Sequence, residues 1–102
     1  MPTVNGKNGG AKEEKKKLTP NEIVRAAYNY LSSVIGQTQR ISDVRIEQLE
    51  PMEGSVGFWK VVLSYDAIGD LPFDKKREYK EFKINSSTGD VSYMKIFERP
   101  KV

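Results

Sequence analysis

The sequence contains neither cysteine nor histidine among its 102 residues. Without cysteine, the chain can form no disulfide, no thiolate zinc site and no iron–sulfur cluster, and it has no thiol nucleophile. Without histidine, it lacks the general base of a Ser-His-Asp triad and the imidazole ligand that many metal enzymes use. These absences favour a non-enzymatic protein, so we predict no catalytic residue, no metal and no other cofactor.

Long apolar runs are also missing. No segment approaches the roughly 18 consecutive apolar residues that a membrane-spanning helix needs. No short apolar stretch follows the initial Met-Pro-Thr-Val, as one would in a secretory signal. The sequence therefore predicts a soluble, cytoplasmic protein with no membrane partner. A chain of 102 residues is long enough for one small domain with a single core.

The net charge of +3 is confined to the N-terminal segment. Residues 1–18 contain five lysines and two glutamates, and the rest of the chain is neutral. This segment has only isolated apolar residues, so it cannot offset the entropy cost of ordering. We predict a disordered basic tail over 1–18 and a single domain over 19–102. A lysine tail can contact phosphates with salt-sensitive affinity, but the neutral body argues against a nucleic acid as the main partner.

A helix start signal begins at Thr19. Thr19 fits the N-cap, Pro20 fits the first turn, where its missing N–H costs nothing, and Glu22 closes a capping box. Apolar residues follow at helical spacing, and Gly36 offers a C-terminal stop. The pattern predicts an amphipathic helix over 20–35.

After this helix, the apolar period changes to that of a β-strand. Four segments carry the strand pattern: 43–50, 58–65, 77–84 and 91–97. The short links between these segments favour an antiparallel meander. The element order α-β-β-β-β predicts a two-layer α+β domain, in which one helix covers one face of a four-stranded sheet.

Strand parity divides the side chains between two sheet faces. The set that we expect to face the helix is Trp59, Val61, Leu63, Phe82, Ile84, Met94 and Ile96. The opposite parity carries five large apolar or aromatic side chains, interleaved with charged ones that include Lys60 and Glu81. The predicted partner-binding residues on this face are Phe58, Val62, Tyr79, Tyr93, Phe97, Lys83 and Lys95. Four aromatic residues exceed what solubility requires, so we interpret this face as a docking surface for a partner chain or a second copy. The competing interpretation is that the rings pair across strands and lie under lysine stems, which stabilises the sheet without any partner.

The stretch from Phe82 to Val91 reads FKINSSTGDV. It resembles the hairpin of PepSY-type and related cystatin-like domains, in which a Thr-Gly-acidic-Val turn starts the next strand. This resemblance implies a cystatin-like two-layer fold, with a peptide or a peptidase region as the partner.

A longer resemblance, over residues 23–99, is to the gas-vesicle accessory proteins of the O type. These proteins have a charged, low-complexity N-terminal tail before the helix and the strands. The matching segments are Val24-Arg25-Ala26-Ala27, Trp59-Lys60-Val61, Pro72, Tyr79-Lys80-Glu81-Phe82 and Val91-Ser92-Tyr93-Met94. The chain departs from the family at its end, where Phe97-Glu98-Arg99-Pro100 stands in place of a terminus rich in Tyr and Arg. The resemblance implies another accessory or shell protein as the partner.

Together, these observations predict a non-enzymatic protein-binding or assembly module that acts through the aromatic sheet face or a strand edge. A homodimer is an open option. One alternative is a small-ligand pocket or enzyme between helix and sheet, although a small domain retains little free volume once its core is filled. The other alternative is a weak nucleic-acid binder that uses the lysine-rich tail.

Overall fold

A computed structural model describes residues 17–71 and 73–98 of the chain. Its elements are α1 (Pro20–Val34), β1 (Arg40–Pro51), β2 (Phe58–Ile68), β3 (Lys75–Asn85) and β4 (Val91–Ile96). The strands form one open sheet in the order β1-β2-β3-β4, and each strand pairs antiparallel with its neighbour in sequence. The predicted α+β meander with one helix packed on the sheet is confirmed. Within the described ranges, no helix is long and apolar enough to cross a bilayer.

The predicted tail falls mostly on residues 1–16, which lie outside the described residues. Leu18, at its C-terminal end, packs against the core. The Leu18 N–H also donates to the Ser86 carbonyl at 2.8 Å. A Cβ on Gly89, whose φ is +83°, would approach Leu18 Cδ1 to 3.2 Å. The folded part therefore includes Leu18, one residue earlier than predicted, because this side chain closes the core beside the β3–β4 turn.

Helix α1 begins with the predicted capping box. Thr19 Oγ1 accepts a hydrogen bond from the Glu22 N–H at 3.2 Å, and Glu22 Oε1 accepts one from the Thr19 N–H at 2.8 Å. The helix ends at Val34. The reason for glycine at position 36 differs from the prediction, because Gly36 is not in the left-handed conformation. A Cβ there would lie 2.5 Å from the Ser32 carbonyl oxygen, so glycine is needed for close approach to the helix end.

Three of the four strands are longer than their side-chain patterns predict. β1 starts at Arg40 rather than at residue 43, and β2 continues to Ile68 rather than to residue 65. The Cα of Ile68 is paired with those of both Arg40 and Lys75, so β1 and β3 both extend to the end of β2. These additional residues belong to the strands through backbone hydrogen bonding, because an antiparallel ladder does not require apolar and polar side chains to alternate.

The core lies between α1 and the facing side of the sheet. Ile23, Ala27 and Leu31 project from the helix onto Val61, Leu63, Tyr65, Ala67, Phe82 and Ile84. Trp59 and Met94 pack partly buried against the same cluster, as strand parity predicts. Ile96 shares this face but is 69% exposed, because it lies at a corner of the sheet that α1 does not cover.

Tyr65 is the largest fully buried side chain in this core. Its phenol donates a hydrogen bond to Glu78 Oε1 at 3.0 Å, across the β2–β3 pair. Burial and this hydrogen bond both favour the neutral phenol, so they raise the pKa of Tyr65. The Glu78 carboxylate is thereby held at the border of the core.

Candidate partner-binding site

The predicted site residues all lie on the sheet face opposite α1, which we call the outer face. Cross-strand partners share a face, and the pairs Lys83–Tyr93, Glu81–Lys95 and Val62–Glu81 bring five of the outer-face residues together. Phe58 belongs to the same face by strand parity. Phe97 follows the end of β4, where its N–H donates to the Tyr79 carbonyl at 3.1 Å. The parity prediction for this face is therefore confirmed.

Each of three aromatic rings on the outer face lies under a lysine ammonium group. Lys83 Nζ is 4.6 Å from the centroid of Phe58, Lys95 Nζ is 5.0 Å from that of Tyr93, and Lys60 Nζ is 5.8 Å from that of Phe97. These distances are those of cation–π contacts. We call these six residues the lysine–aromatic patch. These contacts are the ones described by the competing interpretation of the sequence, in which rings under lysine stems stabilise the sheet without any partner.

Two of these lysines face each other directly. Lys60 and Lys83 are cross-strand partners in the β2–β3 ladder. Like charges in this position destabilise a sheet. The two side chains diverge, because Lys60 reaches over Phe97 and Lys83 reaches over Phe58. Among the described residues, neither lysine forms an ion pair, although Glu50 on β1 is the other cross-strand partner of Lys60.

Val62 differs from the other predicted site residues because it has no exposed surface. Its relative exposure is 0%, although it lies on the outer face. Its cross-strand partners are Gln48 on β1 and Glu81 on β3, and such neighbours can cover a small β-branched side chain. We therefore correct the prediction that Val62 contacts a partner, because it forms the floor of the outer face in this structure.

Glu81 is nearly buried beneath the lysine–aromatic patch, with 9% exposure. Its Oε2 accepts a hydrogen bond from the Tyr93 phenol at 2.6 Å and lies 3.9 Å from Lys95 Nζ. The hydrogen bond to this carboxylate, with some burial, raises the pKa of Tyr93 to about 12. One tyrosine, one carboxylate and one lysine are thus joined at the β3–β4 edge of the patch.

The raised pKa of Tyr93 predicts a loss of stability at high pH. Folding favours the protonated phenol, so its stabilising contribution is complete below the pKa of an unfolded tyrosine, about 10. It is lost as the pH rises toward the folded value of about 12. We expect the urea midpoint of the wild-type chain to fall more steeply between about pH 10 and pH 12 than that of Tyr93→Phe, which lacks the ionisable group. Equal slopes for the two proteins would contradict the role of this hydrogen bond.

The other half of the outer face is an ion-pair network that the sequence analysis missed. The Arg77 guanidinium donates to Asp66 Oδ1 at 3.2 Å, to Asp43 Oδ2 at 3.3 Å and to Ser64 Oγ at 2.8 Å. Ser64 Oγ in turn donates to Glu47 Oε2 at 2.6 Å. The network joins β1, β2 and β3, and its charges are largely committed to one another.

Asp43 reaches this network because β1 is irregular. The β1–β2 register shifts between Ser42 and Arg45 and again between Ile46 and Gln48. Asp43 has a φ of +53°, in the left-handed region that Asp tolerates better than most residues. The hydrogen bond from Arg45, with the charges of Arg45 and Arg77, lowers the pKa of the Asp43 carboxyl. The sequence of β1 has no local signal for these bulges, because its alternation of apolar and polar residues does not show where a bulge lies until the pairing register is known.

Comparison with known proteins adds no family to this geometry. No family model matches the chain, no curated protein matches it, and no solved structure matches it. Within the described residues, no group of three or more acidic side chains could hold a metal ion. The fold and the site define a two-layer α+β domain whose open sheet face carries lysine–aromatic contacts beside an ion-pair network.

Proposed function

We propose that this chain is a non-enzymatic protein-binding or assembly module that binds its partner through the outer face. The observation that carries the proposal is the lysine–aromatic patch, in which half-buried rings and ammonium groups share one open surface. Interfaces are enriched in aromatic side chains. A partner that covers the patch would remove the exposed parts of Phe58, Tyr93 and Phe97 from water.

The charge of the patch favours an acidic partner surface. Lys60 and Lys83 repel each other across β2 and β3, and a carboxylate placed between them would relieve that repulsion. The resemblance to gas-vesicle accessory proteins makes an accessory or shell protein the first partner to test. The PepSY-like hairpin makes a peptide segment the second. A second copy of the chain is less suitable, because two such patches would bring lysines together.

A nucleic acid is the main competing partner. Rings beside lysines form the surface on which single strands stack. Two features oppose this reading. The rings already lie under lysines, so a base could stack on them only by displacing those side chains. The chain beyond residue 18 is also neutral, so it offers phosphates no net positive charge.

Site-specific photo-crosslinking tests the proposal. The photoreactive residue p-benzoyl-phenylalanine would replace Gln48, an exposed outer-face residue outside the lysine–aromatic patch, or Tyr28, a residue of α1 that is 44% exposed. In cells that express the chain, we expect one protein to crosslink from position 48 and not from position 28. The crosslink should be lost with Lys60→Glu and retained with Arg25→Glu, a matched charge reversal on the helix. Equal crosslinking from both positions, or a crosslink that survives Lys60→Glu, would refute the outer face as the interface.

A further inference from the structure

One edge of β3 extends beyond the strand that pairs with it. β3 has 11 residues and β4 has 6, and the β3–β4 ladder ends at the pair Lys80–Ile96. The hydrogen bond from the Phe97 N–H to the Tyr79 carbonyl is the continuation of this ladder. Within 17–71 and 73–98, no strand pairs with Lys75–Glu78 on the β4 side. We call this four-residue segment the open edge.

The open edge presents backbone groups in the geometry of a strand. The Tyr79 carbonyl points toward β4, and backbone groups of residues two apart in a strand point the same way. The N–H and C=O of Arg77 and of Lys75 therefore point away from β2, toward the open side. Because the β2–β3 register has no shift, the open edge segment is paired regularly with β2 along its other side. By contrast, β1, the outer strand on the opposite side of the sheet, is interrupted by two register shifts. Regular open edges accept an added strand, and bulged ones resist it.

The surroundings of the open edge can receive side chains of an added strand. A shallow cavity of about 260 Å³ borders it, lined by residues of β3 together with Ile96 and Phe97. Ile96 is 69% exposed there. A strand that continued the line of β4 would cover this isoleucine while it paired with Arg77 and Lys75.

Positive charges outnumber negative ones at the open edge. Arg77 is committed to Asp66, Asp43 and Ser64, and the Glu78 carboxylate accepts a hydrogen bond from the neutral Tyr65 phenol and keeps its negative charge. Lys76 and Lys80 make no ion pair with a described residue, and Lys75 has a single distant one, at 3.8 Å. Lysines on an edge discourage pairing with neutral or basic strands. A second copy of the chain would bring the same lysines together, so the open edge favours an acidic strand.

We infer that the open edge of β3 binds an extended, acidic segment of the partner protein by β-strand addition. This inference rests on the proposed function and names the binding mode and the chemistry of the partner. The segment forms main-chain hydrogen bonds with Arg77 and Lys75, and its carboxylates meet Lys76 and Lys80, which lie on the α1 side of the sheet. Main-chain bonds supply affinity in this mode, and side chains supply specificity. Tyr79 and Phe97 belong both to the outer face and to the border of the open edge, so one partner can occupy both.

Titration of the full chain with defined peptides tests the inference. The probe is an acetylated, amidated hexapeptide of alternating Glu and Val, followed through the backbone amide signals of the ¹⁵N-labelled protein. We expect saturable shifts at the amides of Lys75 and Arg77. A peptide with N-methyl groups on the residues that pair with β3 should bind at least about tenfold more weakly, because it loses two or more hydrogen bonds. A peptide with Lys in place of Glu should not bind.

Two variants of one position separate the backbone from the side chain. Lys75→Pro removes an N–H that points to the open side and no bond to β2, and proline is tolerated at the first residue of a strand. Lys75→Ala removes the charge and keeps the N–H. We expect Lys75→Pro to weaken peptide binding clearly more than Lys75→Ala, with the dispersed amide spectrum of a folded protein in both variants.

The inference is overturned if the N-methylated peptide binds as tightly as the parent peptide, if the shifts fall away from the open edge, or if no saturable shift occurs at millimolar peptide. These outcomes differ from a failure of the proposed function. A partner that still crosslinks at position 48 from the Lys75→Pro chain would leave the outer face as an interface without strand addition. If Lys60→Glu abolishes the crosslink and leaves peptide binding intact, the open edge binds the peptide independently of the outer face.

Discussion

Replacing Phe82 by alanine is expected to lower the free energy of unfolding by about 3 to 5 kcal/mol. Phe82 is fully buried at the centre of the sheet, where it pairs with Val61 on β2 and Met94 on β4. Its ring meets Tyr30 of α1 edge-on, with centroids 6.4 Å apart and planes at 88°. The substitution removes the transfer free energy of the ring, leaves a cavity between helix and sheet, and abolishes this aromatic contact.

The expected loss is a large fraction of the stability of such a small domain. Urea unfolding followed by circular dichroism measures it, with the slope of the transition checked to be unchanged. Phe73→Ala is the matched control, because Phe73 is 82% exposed in the β2–β3 loop. We expect the control to change stability by less than about 0.5 kcal/mol. Similar losses for the two variants would mean that α1 does not pack on the sheet as described.

The parts of the fold that the sequence predicts well are those set by periodicity and local hydrogen bonds. The box between Thr19 and Glu22 is complete within four residues, so its signal lies entirely in the local sequence. Trp59 falls on the core side because alternation along β2 assigns every side chain at once. The outer-face positions of Tyr93 and Lys83 follow from the same rule, once the β3–β4 hairpin fixes the register.

The parts that the sequence does not predict depend on contacts between distant segments. Asp43 and Arg77 are 34 residues apart, and a bulge with no local signature brings them together. The burial of Val62 depends on the side chains that flank it on β1 and β3, rather than on its own hydropathy. The open edge arises from a difference in length between β3 and β4, and strand length follows backbone pairing more closely than side-chain pattern.

Replacing Arg77 by alanine is the second substitution with a large expected effect, a loss of about 2 to 3 kcal/mol in the free energy of unfolding. The Arg77 side chain is 24% exposed and that of its partner Asp66 is 17% exposed, so the pair is screened less than a surface ion pair. Without the guanidinium, the distant Lys75 is the one cation left beside Asp66 among the described residues, and Ser64 loses one hydrogen-bond donor although it is fully buried. Most of the cost is therefore the desolvation of groups left without a partner.

Arg45→Ala separates this effect from surface electrostatics. The Arg45 side chain is 66% exposed and pairs with Asp43 at 2.9 Å, so we expect its loss to cost less than about 0.5 kcal/mol. Arg77→Lys should recover only part of the loss, because an ammonium group cannot reproduce the planar fork that reaches Asp66, Asp43 and Ser64 together. Equal effects of Arg77→Ala and Arg45→Ala in urea unfolding would contradict the network.

Since Arg77 ties β3 to β1 and β2 beside the open edge, Arg77→Ala should also accelerate amide exchange at Lys76 and Glu78, whose hydrogen bonds run to β2, whereas Arg45→Ala should not.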